Sequence, residues 1–237
     1  MNTYAERYNL QPAAAWLRGH ALKTGTPKIA SELLEMPLEV LTDEELSFIV
    51  EIGETTGQKL YPFKTGKAEL PRVRQVLGFL RGIEFKTLLD VGSGRGVFLL
   101  PFMEAFPQVQ VTSLDLLDKR VTFLNELAAG GYSQLTAHNK DICDQPFSEN
   151  SFDVVTLLEV LEHIPEVEKA VAAAVKMARN YVVVSVPSKE DNNPEHIHLL
   201  TKDILTKLFA DAGCTKLHFG GVNGHLIMMA NVEELRK

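Results

Sequence analysis

The sequence predicts an α/β fold in which helices cover both faces of a mostly parallel β-sheet. Residues 86–98, KTLLDVGSGRGVF, read as a short apolar strand, a glycine-rich turn and the start of a helix. From there strands and helices alternate, and such alternation requires crossover connections between parallel strands. The chain closes with two short apolar runs around Gly220, Gly221 and Gly224, which predict a hairpin.

The residues before this pattern are predicted to form a helical cap. Residues 13–22 are rich in alanine and carry apolar side chains at helical spacing. Thr42 and Glu45 fit a capping box, because each side chain can accept a hydrogen bond from the other's backbone amide at a helix start. A loop rich in glycine and proline follows. We therefore divide the chain into a cap over residues 1–66 and a main domain over residues 67–237.

The main domain is predicted to alternate helices with strands. Strands are expected over residues 87–91, 109–114, 134–138, 152–158 and 181–186, with the closing hairpin at 216–219 and 225–230. Helices are expected over residues 71–80, 97–106, 116–129, 167–178 and 202–212. Open parallel sheets bind ligands at the carboxyl ends of their strands, so the glycine-rich turn after residue 91 marks the predicted site.

Composition narrows the class of protein. No apolar run approaches the ~20 residues that cross a bilayer, and the N-terminus lacks the basic and apolar stretches of a secretory signal. Cys143 and Cys214 are far apart and form no metal-binding pair, so we expect a reducing cytoplasm. The net charge of −7 disfavours broad nucleic-acid binding. Residues 59–86 depart from this balance with seven basic residues against two acidic, which leaves open a solvated helix face or an anionic partner.

The glycine-rich turn predicts a nucleotide-like ligand, and its neighbours restrict the chemistry. Gly92, Gly94 and Gly96 leave no side chains between the backbone and a ligand at the following helix N-terminus. The dinucleotide fingerprint requires a glycine where Val97 stands. Asp90, at the strand end, would repel a phosphate and attract an ammonium group. S-adenosylmethionine (SAM) carries an ammonium, a sulfonium and a ribose but no phosphate, so the turn predicts SAM.

The pattern D-x-G-x-G-x-G at residues 90–96 resembles motif I of the class I SAM-dependent methyltransferases. PFSENSFDVV at 146–155 and EVLEHI at 159–164 resemble the branch of ubiquinone-biosynthesis O-methyltransferases, methyltransferase type 11. The resemblance covers roughly residues 70–230. It implies a Rossmann-like seven-stranded sheet of order 3-2-1-4-5-7-6, with the last strand inserted antiparallel. It also implies SAM as the cofactor and S-adenosylhomocysteine as the product.

The resemblance implies particular cofactor contacts. The methionyl end of SAM is expected to contact Asp90, Gly92, Ser93, Gly94, Gly96 and Glu159. Asp115, with Leu116 beside it, ends the second strand 19 positions after Gly96, and its two carboxylate oxygens can accept both ribose hydroxyls. Asp141 is expected to accept a hydrogen bond from the adenine amino group, and Ile142 is expected to stack on the adenine ring.

The EVLEHI stretch leaves three alternatives open. In the first, Glu159 lines the methionine end of the cofactor site and His163 orients the loop. In the second, His163 is a general base for a hydroxyl nucleophile, since its ordinary pKa of ~6.5 suits that role, and Glu162 and His198 are further catalytic candidates. In the third, Glu159, Glu162, His163 and His198 bind a divalent metal, as E-x-x-E-H with a distant histidine does in small-RNA 2′-O-methyltransferases. His196 is another candidate ligand, but its H-x-H context departs from the RNA enzymes, so the main prediction contains no metal.

The implied reaction is an in-line displacement in which a nucleophile attacks the methyl carbon of SAM. The main prediction is transfer to a small-molecule acceptor, with oxygen favoured, by a cytoplasmic monomer or homodimer that has no membrane span. Nucleic acid is disfavoured as a partner but stays open. A metal-assisted RNA 2′-O-methyltransferase is the first alternative, which the basic segment supports. A SAM-binding regulatory protein without turnover is the second. The glycine spacing and Asp90 disfavour a nicotinamide-dependent dehydrogenase.

Overall fold

A computed structural model of the chain describes residues 3–190 and 192–233. Its strands are β1 (Thr87–Val91), β2 (Gln110–Asp115), β3 (Leu135–Asn139), β4 (Phe152–Leu158), β5 (Ala178–Pro187), β6 (Leu217–Val222) and β7 (His225–Asn231). They form one sheet of order β3-β2-β1-β4-β5-β7-β6. The pairs from β3 to β5 are parallel, whereas β7 pairs antiparallel with both β5 and β6. The predicted α/β fold and the implied strand order are confirmed.

Helices pack on both faces of this sheet. They are α1 (Thr3–Arg7), α2 (Leu10–Thr24), α3 (Ser31–Glu35), α4 (Asp43–Thr55), α5 (Pro71–Leu80), α6 (Leu99–Ala105), α7 (Asp118–Ala129), α8 (Val167–Met177) and α9 (Lys202–Asp211). The capping box that the sequence predicts is present, because the Thr42 hydroxyl accepts the Glu45 N–H at 3.2 Å and Glu45 Oε2 accepts the Thr42 N–H at 2.8 Å. Among the described residues, no helix combines the length and the apolar character that a bilayer crossing requires.

Some element boundaries differ from the sequence prediction near the glycine-rich turn. α6 begins at Leu99 rather than at residue 97, because the left-handed backbone of the turn continues as far as Gly96. α7 begins at Asp118 rather than at residue 116, because the Leu117 N–H donates to the Asp115 side chain and Leu116 stays in the loop. Both shifts lengthen the loops at the carboxyl edge of the sheet.

The helices before residue 66 pack directly on the main domain through α2 and α7. A Cβ added to Gly19 would lie 1.7 Å from the Glu126 carbonyl oxygen, and one added to Gly130 would lie 1.7 Å from the Ala15 carbonyl oxygen. The two helices therefore touch backbone to backbone, which only glycine permits. The division into domains at residue 66 stays a prediction, and residues 1–2, 191 and 234–237 of those domains lie outside the described part of the chain.

Candidate active site

Three glycines in left-handed conformations shape the turn between β1 and α6. Gly92, Gly94 and Gly96 have φ angles of 68°, 58° and 73°. A Cβ on Gly92 would also lie 2.2 Å from Cγ2 of Val160, so this position has no room for a side chain. The Gly92 N–H donates to the Leu114 carbonyl at 2.7 Å, which ties the turn to β2. Backbone contacts thus hold the turn in place, and its glycines leave the cleft above it free of side chains.

Asp90 is buried at the end of β1, with 3% of its surface exposed. The Thr156 hydroxyl on β4 donates to its Oδ1 at 2.6 Å. Burial raises the pKa of Asp90 to about 6; the Ser93 and Thr156 hydroxyls act in the opposite direction, and nearby Asp115 adds to the rise. A carboxylate held in such a low-dielectric place is stabilised most by a ligand cation.

Asp115 joins the end of β2 to the glycine-rich turn. Its Oδ2 accepts the Gly94 N–H at 3.1 Å and its Oδ1 accepts the Leu117 N–H at 2.9 Å. A carboxylate oxygen has room for a second donor, so both oxygens can still accept bonds from a diol. Asn139, which sequence reasoning missed, donates to the carbonyls of Asp115 and Leu116 at 3.2 and 2.9 Å. This amide fixes the loop on which Leu116 lies exposed.

Asp141 and Ile142 begin a short 3₁₀ turn after β3. Asp141 Oδ1 accepts the Cys143 N–H at 2.8 Å, which caps the turn. Ile142 is 4% exposed and borders the same cleft as Asp115. The structure thus places an acceptor and an apolar surface next to each other at this edge.

Glu159 has a left-handed backbone, with φ of 57°, which is uncommon for a residue with a side chain. Its Oε1 accepts the Ser185 hydroxyl at 2.6 Å, and its Oε2 lies 2.9 Å from His225 Nδ1. His225 lies outside every motif that the sequence analysis identified. The antiparallel register that pairs His225 with Pro187 brings it to the site, and no local sequence pattern carries that information.

Glu162, His163 and His196 form a cluster in which one ligand atom from each lies within 4.8 Å of the others. Glu162 is 1% exposed. His163 Nδ1 lies 2.9 Å from the Glu195 carbonyl, so this nitrogen carries the proton and Nε2 is left as the acceptor. The sequence identified all three residues, although it favoured His198 over His196 as the distant histidine.

His198 occupies a different place. Its Nε2 lies 3.0 Å from the Ile164 carbonyl, which engages the imidazole with the backbone. The N–H groups of Ile197 and His198 both donate to the Glu162 carbonyl, at 2.9 and 3.3 Å. These two bonds hold the loop against Glu162 and leave His196 as the histidine of the cluster.

The candidate residues border one cleft along the carboxyl edge of the sheet. Asp90 and Glu159 border one half, Asp115 and Ile142 border the other, and Gly92 borders both. The first half suits an ammonium group, and the second suits a diol joined to a flat ring. Among the predicted cofactor residues, Ser93, Gly94, Leu116 and Asp141 also line the cleft. Gly96 is buried beneath it instead, where a Cβ would lie 2.9 Å from Cγ of Leu100.

A family model described as a methyltransferase domain matches residues 89–184, which include the glycine-rich turn and the ends of β1, β2 and β4. These residues form a domain of the methyltransferase family. The predicted family, the predicted transferase class of the domain and its predicted cofactor are confirmed.

A solved structure supports the fold of this methyltransferase domain. Magnesium protoporphyrin IX methyltransferase from Synechocystis PCC 6803, solved with bound S-adenosylhomocysteine, superposes with a TM-score of 0.54. The superposition covers 68% of this chain and 81% of the other at 20% identity. At that identity the likeness establishes the fold and not the methyl acceptor.

Curated relatives of this chain carry the name ribosomal RNA small subunit methyltransferase G. The protein from Limosilactobacillus reuteri is 32% identical over 132 residues, which cover 53% of this chain and 51% of that protein. The protein from Levilactobacillus brevis is 63% identical over 43 residues, or 18% of each chain. The chain thus spans about half, or less, of the length of these relatives.

These relatives contradict the predicted small-molecule acceptor and the prediction that disfavours nucleic acid as a partner. Both predictions were wrong. The net charge of −7, on which the second prediction rested, is a sum over the whole chain. Contact with a polyanion depends instead on how the positive charges are distributed over one surface.

Proposed function

We propose that the protein is an RNA methyltransferase that uses SAM as its methyl donor. The observation that carries this proposal is the 32% identity over 132 residues to a ribosomal RNA methyltransferase. The cleft supports it, because its two halves suit the methionyl and adenosyl parts of SAM. The predicted cytoplasmic location is part of the same proposal.

The residues of the cleft act on SAM by positioning it. In this proposal Asp90 and Glu159 hold the ammonium group, Asp115 holds the ribose hydroxyls, and Asp141 and Ile142 hold the adenine. An RNA nucleophile forms a bond to the methyl carbon while the carbon–sulfur bond breaks in line. Sulfur keeps the electron pair and S-adenosylhomocysteine leaves as a neutral thioether, so the leaving group needs no acid. The catalytic effect then comes mainly from proximity and orientation.

The acceptor is tested by supplying tritiated SAM to total RNA, small ribosomal subunits, proteins and small molecules from a cell extract. Label is expected in RNA. Label confined to proteins or small molecules would contradict an RNA acceptor. Tight SAM binding with no transfer to any fraction would favour the regulatory alternative.

The ribose contact gives a second test. Asp115→Asn is expected to raise the Kd for SAM about tenfold, because an amide replaces one accepting oxygen with a donor and a hydrogen bond to a charged group contributes about 1.5–3 kcal/mol. Asp118→Asn is the matched control, since Asp118 lies exposed in the first turn of α7. Isothermal titration calorimetry measures both variants. Equal losses in the two would show that the effect is long-range charge and not a ribose contact.

The Glu162–His163–His196 cluster favours a ribose hydroxyl as the acceptor, with help from a divalent metal. One carboxylate and two imidazoles are a donor set suited to zinc, manganese or iron(II). The Glu195 carbonyl orients the His163 ring as second-shell partners of metal-binding histidines do. These residues therefore fit a metal, which would lower the pKa of a hydroxyl group bound to it. Glu159 and His198, which the metal alternative also included, are engaged elsewhere.

Removal of one ligand tests this assignment. His196→Ala is expected to lower the affinity for Mn²⁺ at least tenfold, because two protein ligands hold a divalent ion far more weakly than three. His218→Ala, an exposed histidine on β6, is the control. Calorimetric Mn²⁺ titration and the effect of a chelator on RNA methylation provide the two measurements. If methylation of RNA is indifferent to the chelator, the metal assignment fails while the RNA acceptor stands.

A further inference from the structure

A second groove opens beside the cofactor cleft, between the cap and α7. We call it the Tyr61 groove, and it is lined by Lys59, Tyr61, Arg95, Lys119, Arg120 and Phe123. Arg95 also borders the half of the cofactor cleft that holds Asp90. The groove and the cleft therefore meet at the glycine-rich turn, on the side assigned to the methionyl part of SAM.

Tyr61 extends into solvent from a rigid base. Its residue surface is 61% exposed, and it begins a 3₁₀ turn that ends at Phe63. Phe63 is fully buried, with its ring centroid 5.6 Å from that of Phe123 and 5.7 Å from that of Trp16. The burial of Phe63 fixes the turn and keeps the Tyr61 ring at the surface. A fixed, exposed aromatic ring is a suitable platform on which an unpaired base can stack.

Three cations surround the Tyr61 ring. The Nζ atoms of Lys64 and Lys67 lie 5.7 and 6.0 Å from its centroid, and Cζ of Arg95 lies 5.9 Å away. Among the described residues, the buried Nζ of Lys67 has no hydrogen-bond partner. Burial, with help from the Arg95 charge, lowers the pKa of Lys67 to about 8. A phosphate beside the exposed Arg95 would offset the positive charges of both Lys67 and Arg95.

Glu126 is an acid of the same groove, but its charge is already engaged. Trp16 Nε1 donates to its Oε2 at 3.0 Å, and His20 Nδ1 lies 3.2 Å from that oxygen. Lys23 Nζ lies 3.5 Å from the other oxygen, Oε1. Glu126 therefore offsets little of the positive charge that Lys59, Arg95, Lys119 and Arg120 give the groove.

The basic segment over residues 59–86 is divided by the fold. Lys59, Lys64 and Lys67 lie around Tyr61, whereas Arg74 and Arg81 line a separate surface on α5. Arg74 also lies 3.7 Å from Glu69. The sequence left two alternatives for this segment, a solvated helix face or a contact with an anionic partner. The first fits Arg74 and Arg81 at α5. The second is left for the lysines around Tyr61.

We propose that the Tyr61 groove binds a single-stranded stretch of the RNA substrate next to the nucleotide that is methylated. This inference rests on the proposed RNA methyltransferase function. One unpaired base stacks on Tyr61, and the neighbouring phosphates contact Lys64 and Arg95. The strand continues along Lys59, Lys119 and Arg120, which carry no sequence preference because they contact the backbone.

Fluorescence anisotropy with a labelled 12-nucleotide RNA strand tests the groove. Tyr61→Leu is expected to raise the Kd about tenfold, whereas Tyr61→Phe keeps the stacking ring and stays within about twofold, since stacking contributes about 1–3 kcal/mol per base. The Lys59→Gln/Lys119→Gln double variant is expected to weaken binding and to reduce the salt slope of log K by about 1.4, or 0.7 for each phosphate contact. Arg74→Gln/Arg81→Gln removes the same charge from α5 and is expected to leave binding within about twofold.

Methyl transfer to RNA by the same variants separates this inference from the proposed function. A wild-type protein that methylates RNA, with KM for RNA raised in the groove variants and Kd for SAM unchanged, supports both. If the groove variants bind and methylate RNA normally, the Tyr61 groove is not the RNA-binding site, whereas the proposed RNA methyltransferase function stands. If the protein binds RNA through Tyr61 but does not methylate RNA, the proposed RNA acceptor is wrong and the proposed RNA-binding role of the Tyr61 groove stands. Equal affinity for a duplex of the same length, or for an acidic polypeptide, contradicts a single-stranded RNA site.

Discussion

Gly92→Ala is expected to raise the Kd for SAM at least a hundredfold. The new Cβ would lie 2.2 Å from Cγ2 of Val160, and φ at this position is 68°. The left-handed backbone alone costs a residue with a Cβ about 1–2 kcal/mol. The steric conflict adds to this, and relieving it displaces either the turn or the Val160 side chain, both of which border the cleft. Calorimetry with SAM and thermal unfolding measure the two effects.

Two further variants separate the clash from the backbone strain. Gly66 has φ of 87°, and a Cβ added there would have no atom within 4 Å. The Gly66→Ala variant should therefore lose stability only through backbone strain, and it should bind SAM with normal affinity. The double variant Gly92→Ala/Val160→Ala removes the clashing Cγ2, which leaves the next contact at 3.4 Å. This double variant should recover part of the lost affinity. If Val160→Ala restores nothing, the steric explanation for Gly92 is wrong.

Asp90→Asn is expected to stabilise the protein without ligand and to weaken SAM binding. The pKa of Asp90 is about 6 in the folded chain against an ordinary 3.8. The folded chain therefore favours protonated Asp90. The stability that this form contributes is fully present below about pH 4 and is lost as the pH rises through about 6. A difference of about two pKa units corresponds to about 3 kcal/mol at neutral pH, which the uncharged asparagine avoids. Urea unfolding at pH 4 and pH 7.5 measures this effect.

The binding effect of the same substitution has the opposite sign. The ammonium group of SAM would lose its charged partner, so we expect the Kd to rise about tenfold to a hundredfold at pH 7.5. SAM affinity of the natural protein should fall as the pH drops below about 6, where Asp90 takes up a proton, and the variant should lack this step. An unchanged Kd in Asp90→Asn would contradict the ammonium assignment.

Asp153 provides the control for Asp90. It is also a buried acid of the sheet, but it lies at the start of β4, away from the cleft. Burial raises the pKa of Asp153, yet hydrogen bonds from Lys86 N and Thr87 N and the Arg179 charge outweigh it, so the pKa lies below its ordinary value. The stability that ionised Asp153 contributes to the folded protein is present above about pH 4 and is lost as the pH falls. Asp153→Asn should therefore destabilise the protein at pH 7.5 and leave SAM binding intact.

The sequence identified most of the cleft because its signals are local. The glycines at 92, 94 and 96 must follow one another for the turn to form, and Asp90 and Asp115 stand at strand ends that apolar runs define. Asp141 and Ile142 likewise begin a short 3₁₀ turn after a strand. Such residues are found by reading a few neighbours, since strand ends of a parallel sheet meet at one edge.

The contacts that sequence reasoning missed depend on residues far apart in the chain. His225 reaches Glu159 only because β7 is inserted antiparallel beside β5. His196 rather than His198 joins Glu162 because two backbone bonds fix the register of a long loop. No local sequence pattern predicts either register, because both result from packing along the whole edge of the sheet.

The sequence by itself determined the fold class, the family and the cofactor, because hydrophobic periodicity and the glycine-rich turn constrain the backbone within short segments. It did not determine the acceptor, and the whole-chain charge argued for the wrong one. Only the tertiary structure decided which cations share a surface, because it brings Lys59 and Tyr61 beside Arg95 and Lys119, which are more than 30 residues further along the chain. Electrostatic attraction depends on distances between charges in space, and the fold alone sets those distances.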